Sequence, residues 1–335
     1  MSMCLLIMLA LPAWSFGQFV FDDQDHILLL RGNIEILEDS SGEMTLKDVL
    51  ASENFEPSEL DIPNLGITSS AFWLKFELEN QTDQKELLIE IAQPILDHVS
   101  LFYVDSNNTV VLHELGNDFP FYMREYDHQN FLFETTLLKN QKQVYYVRIR
   151  GDSQLLIPIK VGAKKVILEA LLTKDLLFGL YFGIISVMIF YNLFIYFSVK
   201  DRSYLIYVLY ILVVGLIQAS LTGYAYKYVW FNNPWMAKQS IIFFPAIGGI
   251  FAIEFMKIFT HTREHIPKLH KGFLIFNALF VVCVAISVAG LVNVAQNLLQ
   301  FSAMTASLYM VVTAIVLVRR GSRSAAIFLI AWLIF

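Results

Sequence analysis

The sequence predicts a two-part protein, an all-β sandwich of jelly-roll type followed by an all-α bundle of transmembrane helices. Hydrophobic residues make up 56% of the 335 residues and charged residues 16%, whereas soluble domains average roughly 45–50% and about 25%. The charge is divided as well. Residues 1–173 hold 12 Lys and Arg against 26 Asp and Glu, net −14, and residues 174–335 hold 12 against 4, net +8. Because the only basic part is also the apolar part, a nucleic-acid partner is disfavoured.

The first element is a predicted signal peptide over residues 1–17. Its apolar run is shorter than the ~20 residues that a spanning helix needs. It ends in the small residues Ala13, Ser15 and Gly17, which suit a signal-peptidase site. No Lys or Arg precedes the run, so a misassigned start codon or a buried N-terminal strand is the alternative. The two cysteines, Cys4 and Cys283, both lie outside residues 18–173, so no disulfide is expected within that part.

Residues 18–173 are predicted to form the sandwich. Apolar and polar side chains alternate along 72–79, 87–91, 99–103 and 144–149, and turn-forming residues separate these runs. A period of two with many β-branched and aromatic residues is typical of half-buried strands. Several short strands at this spacing favour a sandwich of jelly-roll type. Residues 44–51 are less regular and predict either a helical turn or a polar excursion at the sandwich edge.

Residues 174–335 are predicted to form the helical bundle. Five apolar stretches are long enough to cross about 30 Å of hydrocarbon, and a sixth is cut by the end of the sequence, so we expect a fragment. Lipid leaves no partner for an unpaired backbone group, so these stretches are expected to be helices. The predicted spans are 176–199, 204–222, 240–259, 272–292 and 298–318, with 324–335 as part of a sixth.

Loop charges predict the orientation of the spans. One set of loops holds nine basic residues: Lys200, Arg202, Lys257, Arg263, Lys268, Lys271, Arg319, Arg320 and Arg323. The opposite loops hold only Lys227 and Lys238. The positive-inside rule makes the nine-residue side cytoplasmic. Residues 18–173 are therefore expected outside, in agreement with a signal peptide.

Two features inside the spans are candidates for signalling. Glu254 is an intramembrane carboxylate, which favours a role in signalling or proton transfer. Lys257 follows three residues later on the same helix face, so a local ion pair is the alternative. Gly248 and Gly249 follow Pro245 and predict a bend. A transporter or channel is the alternative function, although it predicts more buried polar groups or an internal repeat.

The external part carries candidate ligand-binding residues. Aromatic rings can stack on a ligand and polar groups can orient it. The candidates are Trp73, Asp97, Tyr103, Arg124, His128 and Asn130. A core tryptophan is the alternative for Trp73, and a solvated loop is the alternative for residues 124–130. There is no Gly-x-Ser-x-Gly elbow, phosphate loop or clustered metal-ligand motif, so no catalytic residue, metal or cofactor is predicted. A membrane-tethered enzyme acting on sugars is a third hypothesis.

An ordered set of segments carries a family resemblance. These are 71–80 (AFWLKFELEN), 93–99 (QPILDHV), 116–121 (GNDFPF), 128–133 (HQNFLF), 179–183 (GLYFG), 191–196 (YNLFIY), 200–205 (KDRSYL) and 319–332 (RRGSRSAAIFLIAW). Residues 30–335 resemble the seven-transmembrane receptors with diverse intracellular signalling modules, with their second type of extracellular domain. No single segment is decisive; the order of the set is what makes it specific.

The resemblance implies a sensory receptor of the bacterial inner membrane. Its periplasmic sandwich, similar to carbohydrate-binding jelly rolls, would bind a small molecule, with carbohydrate as the expected class. The helices would relay the signal to a cytoplasmic kinase, cyclase or phosphatase module outside this sequence. The ligand residues that it implies are chiefly Trp73, Asp97, His128 and Asn130. A homodimer is among the expected assemblies.

Overall fold

The computed structural model describes residues 17–32, 34–104, 109–231 and 233–334, so all of the predicted signal peptide except Gly17 lies outside the described residues. The predicted division into a β-part and a helical part is confirmed. The strands are β1 (Gln18–Phe21), β2 (Leu28–Leu29), β3 (Glu35–Asp39), β4 (Glu56–Pro57), β5 (Ala71–Asn80), β6 (Glu86–Ile91), β7 (His98–Val104), β8 (Val110–Leu115), β9 (Phe131–Thr136), β10 (Gln141–Arg150) and β11 (Ile159–Ala163). The helices are α1 (Leu46–Leu50), α2 (Lys164–Val199), α3 (Arg202–Leu221), α4 (Tyr224–Tyr228), α5 (Pro234–Phe259), α6 (Thr262–His265), α7 (Pro267–Val288), α8 (Val292–Arg319) and α9 (Arg323–Ile334).

The strands form two sheets that enclose one core. The larger sheet has the order β4-β3-β5-β10-β7-β8, with β1 paired in parallel to the end of β5, and the smaller sheet has the order β2-β11-β6-β9. The register sets Val147 of β10 beside Leu74 of β5 and Leu101 of β7. All three are fully buried. The predicted alternation is therefore confirmed, because these residues share the inner face that the strand period assigns to them.

Helix α1 covers part of the outer face of the larger sheet. Thr45 and Asp48 form a reciprocal capping box that begins the helix. Val49 of the helix packs with Leu37 of β3 against the indole of Trp73. The helical turn expected over residues 44–51 is thus present, and its position encloses Trp73 on a face that would otherwise be open to solvent.

Five helices, α2, α3, α5, α7 and α8, are long and apolar enough to cross a membrane. Helix α9 is shorter and corresponds to the predicted partial span. Helix α2 begins at Lys164, twelve residues before the predicted start of the first span at 176. The reason is that strand β11 continues into α2 with no intervening loop. Residues 164–175 are therefore a helical extension that lies against the sandwich.

The extension of α2 is held by a small apolar cluster, which we call the α2 seat. Ile167 and Leu171 of α2 pack against Leu88 of β6 and Leu132 of β9. All four side chains are buried. They lie on the outer face of the smaller sheet, because their neighbours along β6 and β9 point into the core. The first membrane helix is thus packed on the sandwich as well as joined to it.

Helix α5 lies among the other helices of the bundle, with residue contacts to α3, α7, α8 and α9. It stays helical through Pro245. A Cβ on Gly249 would lie 2.5 Å from the Phe280 ring of α7, and one on Gly248 would lie 2.9 Å from Ile217 of α3. The two glycines therefore permit close contact of α5 with both neighbours. A bend at this point stays a prediction.

The basic loops meet at one end of the bundle, as their charge predicts. Arg320 donates a hydrogen bond to the carbonyl oxygen of His265 at 2.5 Å, and Lys257 and Arg263 line one cavity with Asp201. The sandwich contacts the opposite end, through the segment 223–238. The chain is thus a multi-pass membrane protein whose N-terminal domain lies outside.

Candidate functional site

The sandwich and the helices meet in a contact that we call the junction. Its sandwich side consists of the loops 94–98 and 116–131. Its helical side consists of Asp175 of α2 and the segment 223–238, which runs from the end of α3 through α4 into α5. Ion pairs, hydrogen bonds and ring contacts all occur there.

Lys238 of α5 forms the first contact of the junction. Its Nζ lies 3.3 Å from Oδ1 of Asp97 and 2.7 Å from Oδ1 of Asp118. Asp97 is only 5% exposed, and its Oδ2 accepts a hydrogen bond from the backbone N–H of Asp152 at 2.8 Å. Burial raises the pKa of Asp97 to about 6, although the charge of Lys238 opposes the shift. Charged groups therefore connect the start of α5 to the sandwich.

Gly116 allows the loop 116–131 to approach the backbone of Asp97 closely. Gly116 has a φ of 151°, a conformation that other residues rarely adopt. A Cβ at this position would lie 2.1 Å from the carbonyl oxygen of Asp97. The same carbonyl accepts the N–H of Asp118 at 3.0 Å. The close approach of the two loops thus sets Asp97 and Asp118 side by side, facing Lys238.

Asp175 of α2 forms the second polar contact. Its Oδ1 accepts a hydrogen bond from Tyr224 Oη at 2.5 Å and one from Gln129 Nε2 at 2.8 Å. His128 Nε2 lies 3.6 Å away, which is too long for a hydrogen bond. Burial lowers the pKa of His128, although Asp175 opposes the shift. One carboxylate thus connects the sandwich loop, α2 and α4.

Arg124 lies between the two polar contacts. Its guanidinium carbon lies 4.5 Å from the ring centre of Phe121 and 4.6 Å from that of Phe131. Its Nη1 donates to the carbonyl oxygens of His128 at 3.0 Å and Gln129 at 2.5 Å. Arg124 therefore holds the loop that carries His128 in its folded form, and cation–π contact adds to this.

Further hydrogen bonds tie the segment 223–238 to the sandwich. Tyr226 Oη donates to the carbonyl oxygen of Phe119, and Lys227 Nζ donates to that of Asp127, both at 2.5 Å. The N–H of Phe121 donates to the carbonyl oxygen of Phe231 at 3.1 Å. These bonds join backbone of one part to side chain or backbone of the other, so the junction is a specific contact.

Four of the six predicted ligand-binding residues, Asp97, Arg124, His128 and Asn130, lie in the junction. Asn130 is buried and donates to Glu90 Oε1 at 2.5 Å. Tyr103 points into the sandwich core, where its ring centre lies 5.4 Å from that of Tyr145. Trp73 lies under α1, as described above. The structure therefore brings part of the predicted set together, but as a contact with the helices.

Sequence reasoning missed the helical half of the junction. Asp175, Tyr224 and Lys238 were not predicted as site residues. A signal for part of it was present, since Lys227 and Lys238 are the only basic residues in the loops predicted to lie outside. Both are paired with carboxylates of the sandwich, Lys227 with Asp127 at 3.5 Å and Lys238 as above. Basic residues on the external side thus mark the contact surface.

The signalling candidate Glu254 lies near the opposite end of the bundle. Its Oε1 accepts hydrogen bonds from Lys257 Nζ at 2.7 Å and from Asn277 Nδ2 at 2.9 Å. The ion pair expected with Lys257 is thus present, and Asn277 links it to α7. Glu254 also lines an open cavity of about 810 Å³ among the basic loops. This carboxylate therefore connects two helices.

The junction holds no arrangement that indicates chemistry on a substrate. Most of its carboxylates are paired with groups of the other part, and within the described ranges no group of three or more His, Cys, Asp or Glu could hold a metal ion. The charged pairs of the junction instead join the sandwich to the helices.

Two family models match the chain. The model described as "7TMR-DISM extracellular 2" matches residues 31–163, and the model described as "7TM diverse intracellular signalling" matches residues 174–335. The first covers the sandwich and the second covers the helices, in the order that the sequence resemblance predicts. No curated protein matches the chain.

Proposed function

Because the chain belongs to the family of seven-transmembrane receptors with diverse intracellular signalling, we propose that it is a ligand-sensing receptor whose junction carries the signal. A small molecule bound by the sandwich would change how the sandwich contacts α5. The helices would then carry the change to a cytoplasmic output module. A ligand can shift such an equilibrium only by its difference in affinity for the two states.

The observation that carries this proposal is the position of Asp97, Arg124 and His128. Each belongs to the sandwich, and each contacts the helical part or holds a loop that does. A rearrangement of loop 116–131 would therefore act at once on α2, α4 and α5. The ion pairs of Lys227 and Lys238 with carboxylates of the sandwich support coupling over independent motion.

For the ligand we propose a carbohydrate, bound on the outer face of the larger sheet. The register sets Arg148 of β10 beside Ser100 of β7, and Ser100 beside Glu114 of β8. His98 Nε2 lies 3.0 Å from Ser100 Oγ. Arg148 Nε is buried without a hydrogen-bond partner. Such groups beside an aromatic ring, here Phe102 of β7, suit a sugar, which needs directed hydrogen bonds and one apolar face.

The test uses the full chain in lipid nanodiscs, with spin labels on an exposed sandwich position and on a basic loop. The probes are a panel of monosaccharides and disaccharides. We expect at least one sugar to raise the melting temperature and to change the label distance, and Arg148→Gln to remove both effects. Lys238→Met should keep the binding but lose the distance change. Binding without a distance change would contradict coupling, and no response to any sugar would contradict the ligand class.

We further propose that the receptor lies in a bacterial inner membrane, with the basic loops in the cytoplasm, and that it works as a homodimer. The charge of those loops supports this orientation. A reporter enzyme that is active only outside the cytoplasm, fused after Arg320, should be inactive. Solute uptake by vesicles that contain the purified chain would favour the alternative, a transporter or channel.

A further inference from the structure

A cavity of about 350 Å³ lies at the outer rim of the junction. On the sandwich side it is lined by the segment 121–127, and on the helical side by Lys227 and Phe231. Its charged lining residues are two cations, Arg124 and Lys227, and two carboxylates, Glu125 and Asp127. Its volume falls in the range of small-ligand sites.

Arg124 is a half-buried cation with no carboxylate partner among the described residues. Two of its hydrogen bonds go to backbone carbonyls, as described above, and Nη2 donates to the side-chain oxygen of Asn117 at 3.1 Å. Its Nε is buried and has no hydrogen-bond partner. Within the part of the chain that the structure describes, no carboxylate forms an ion pair with it. Burial lowers the pKa of Arg124 to about 10, as expected for a charge removed from water without an anion.

Two exposed rings line the cavity, and two more lie in the segment that joins the candidate spans α3 and α5. Tyr122 is 76% exposed and Phe231 is 49% exposed. Tyr228 and Trp235, on either side of Phe231 along the chain, are exposed as well. Tyrosine and tryptophan favour the headgroup region of a bilayer. The sandwich contributes Tyr122 to this belt, so the cavity opens at headgroup height.

We propose that this cavity binds the headgroup of an aminophospholipid of the outer leaflet, with the phosphate at Arg124 and Lys227 and the ammonium at Glu125 and Asp127. The phosphate supplies the counter-charge that Arg124 lacks. The two carboxylates favour a headgroup that also carries N–H donors. A phosphoglycerol headgroup would bring no cation to Glu125 or to Asp127, which lies 3.5 Å from Lys227 Nζ. A phosphocholine headgroup offers them no N–H.

The test is native mass spectrometry of the full chain released from vesicles with equal amounts of phosphatidylethanolamine, phosphatidylglycerol and phosphatidylcholine. We expect phosphatidylethanolamine to be retained in preference to the other two. Glu125→Gln with Asp127→Asn should lower that preference about tenfold, the effect of losing a charge-assisted hydrogen bond. Lys227→Gln should lower retention of all three lipids. Lys165→Gln, an exposed lysine of α2 outside the cavity, is the matched control and should change nothing.

Three results would overturn the proposal. The first is equal retention of all three lipids by the wild type and every variant. The second is a preference for phosphatidylglycerol, which would indicate a general anion site. The third is that soluble phosphoethanolamine raises the melting temperature as much as the lipid does, which would indicate a water-soluble ligand. Tyr122→Ser changes only an exposed ring and should also reduce lipid retention. This variant tests the proposal if a charge variant fails to fold.

Discussion

The sandwich is attached to α2 and to α5 in two physically different ways. Strand β11 continues into α2, and the α2 seat buries apolar side chains that need no charge to stay together. The attachment to α5 combines the ion pairs of Lys238 with Asp97 and Asp118 and the packing of Ala237 in an apolar cluster with Phe121. The packing of the α2 seat does not depend on charge, whereas the ion pairs of Lys238 respond to pH and salt. Helix α2 also carries charged contacts with the sandwich, through Lys164 with Glu134 and through Asp175 with Gln129.

The two helices also differ in how they are held in the bundle. Only Ile167 and Leu171 are buried along α2, and both lie against the sandwich. Helix α5 buries residues along most of its length, from Ala237 to Met256. Helix α2 is thus packed on the sandwich at its N-terminal end and contacts the bundle through α3, whereas α5 is enclosed by several helices of the bundle.

The largest expected effect comes from the α2 seat. Ile167→Ala should destabilise the protein by about 3 kcal/mol, because Ile167 is fully buried and its truncation leaves a cavity. Leu172→Ala is the control on the same helix, 68% exposed, and should change stability by less than about 0.5 kcal/mol in detergent. Urea unfolding followed by near-ultraviolet circular dichroism measures both. Equal losses of unfolding free energy in the two variants would show that packing in the α2 seat does not stabilise the protein.

The ion pairs of Lys238 should contribute less to the free energy of unfolding than the α2 seat does. Lys238→Met should cost about 2 kcal/mol, because it leaves Asp97 buried beside Asp118 with no cation; partial exposure of Lys238 keeps the cost below that of a fully buried pair. The double variant Lys238→Met with Asp97→Asn should recover part of the unfolding free energy that Lys238→Met loses.

The same unfolding assay gives the control for this pair. Lys139→Met breaks an exposed contact with Asp83 at 3.0 Å and should cost less than about 0.5 kcal/mol. A double variant less stable than Lys238→Met would contradict the view that the unpaired Asp97 carries the cost.

A glycine pair tests whether α5 is the helix fixed in the bundle. Gly249→Ala should destabilise by about 1 kcal/mol, because overpacking against Phe280 exceeds the gain in helix propensity. Gly179→Ala of α2 meets nothing within 4 Å and should be neutral or stabilising. Melting temperatures in one detergent give the comparison. A loss at Gly179 as large as at Gly249 would place α2 in a packed environment.

The smallest expected effect is the change in the free energy of unfolding with pH that Asp97 causes. The pKa of Asp97 is raised above its unfolded value to about 6, so its protonated form favours the folded state. This contribution is fully present below about pH 4 and is lost as the pH rises through 6. Stability should therefore rise by about 1 kcal/mol from pH 7 to pH 5, relative to Asp97→Asn measured in parallel. Identical pH profiles of wild type and variant would exclude Asp97 as the titrating group.

Much of the fold follows from local patterns in the sequence. The period-two alternation of residues 72–79 assigns Leu74 to the core and Trp73 to the other face. Length and apolarity identify the spans, and loop charge identifies their orientation. The extension of α2 to Lys164 was not predicted, because residues 164–175 are too polar to count as a span. Their helix is stabilised because Ile167 and Leu171 are buried against the outer face of the smaller sheet.

The candidate site depended on contacts between distant parts of the chain. Tyr226 donates to Phe119 across 107 residues, and no periodicity in either segment refers to the other. The residue types of Asp97, Arg124 and His128 are enough to predict them as functional residues. Whether they contact a ligand or another part of the protein depends on which surface packs against them.

The sequence by itself determined the division into an acidic external sandwich and a basic bundle, because strand period, span length and loop charge are local properties. Only the tertiary structure decided that Lys238 faces Asp97 and that α2 stands on the sandwich. Those arrangements arise from burying apolar faces and pairing charges between segments that are adjacent in space alone.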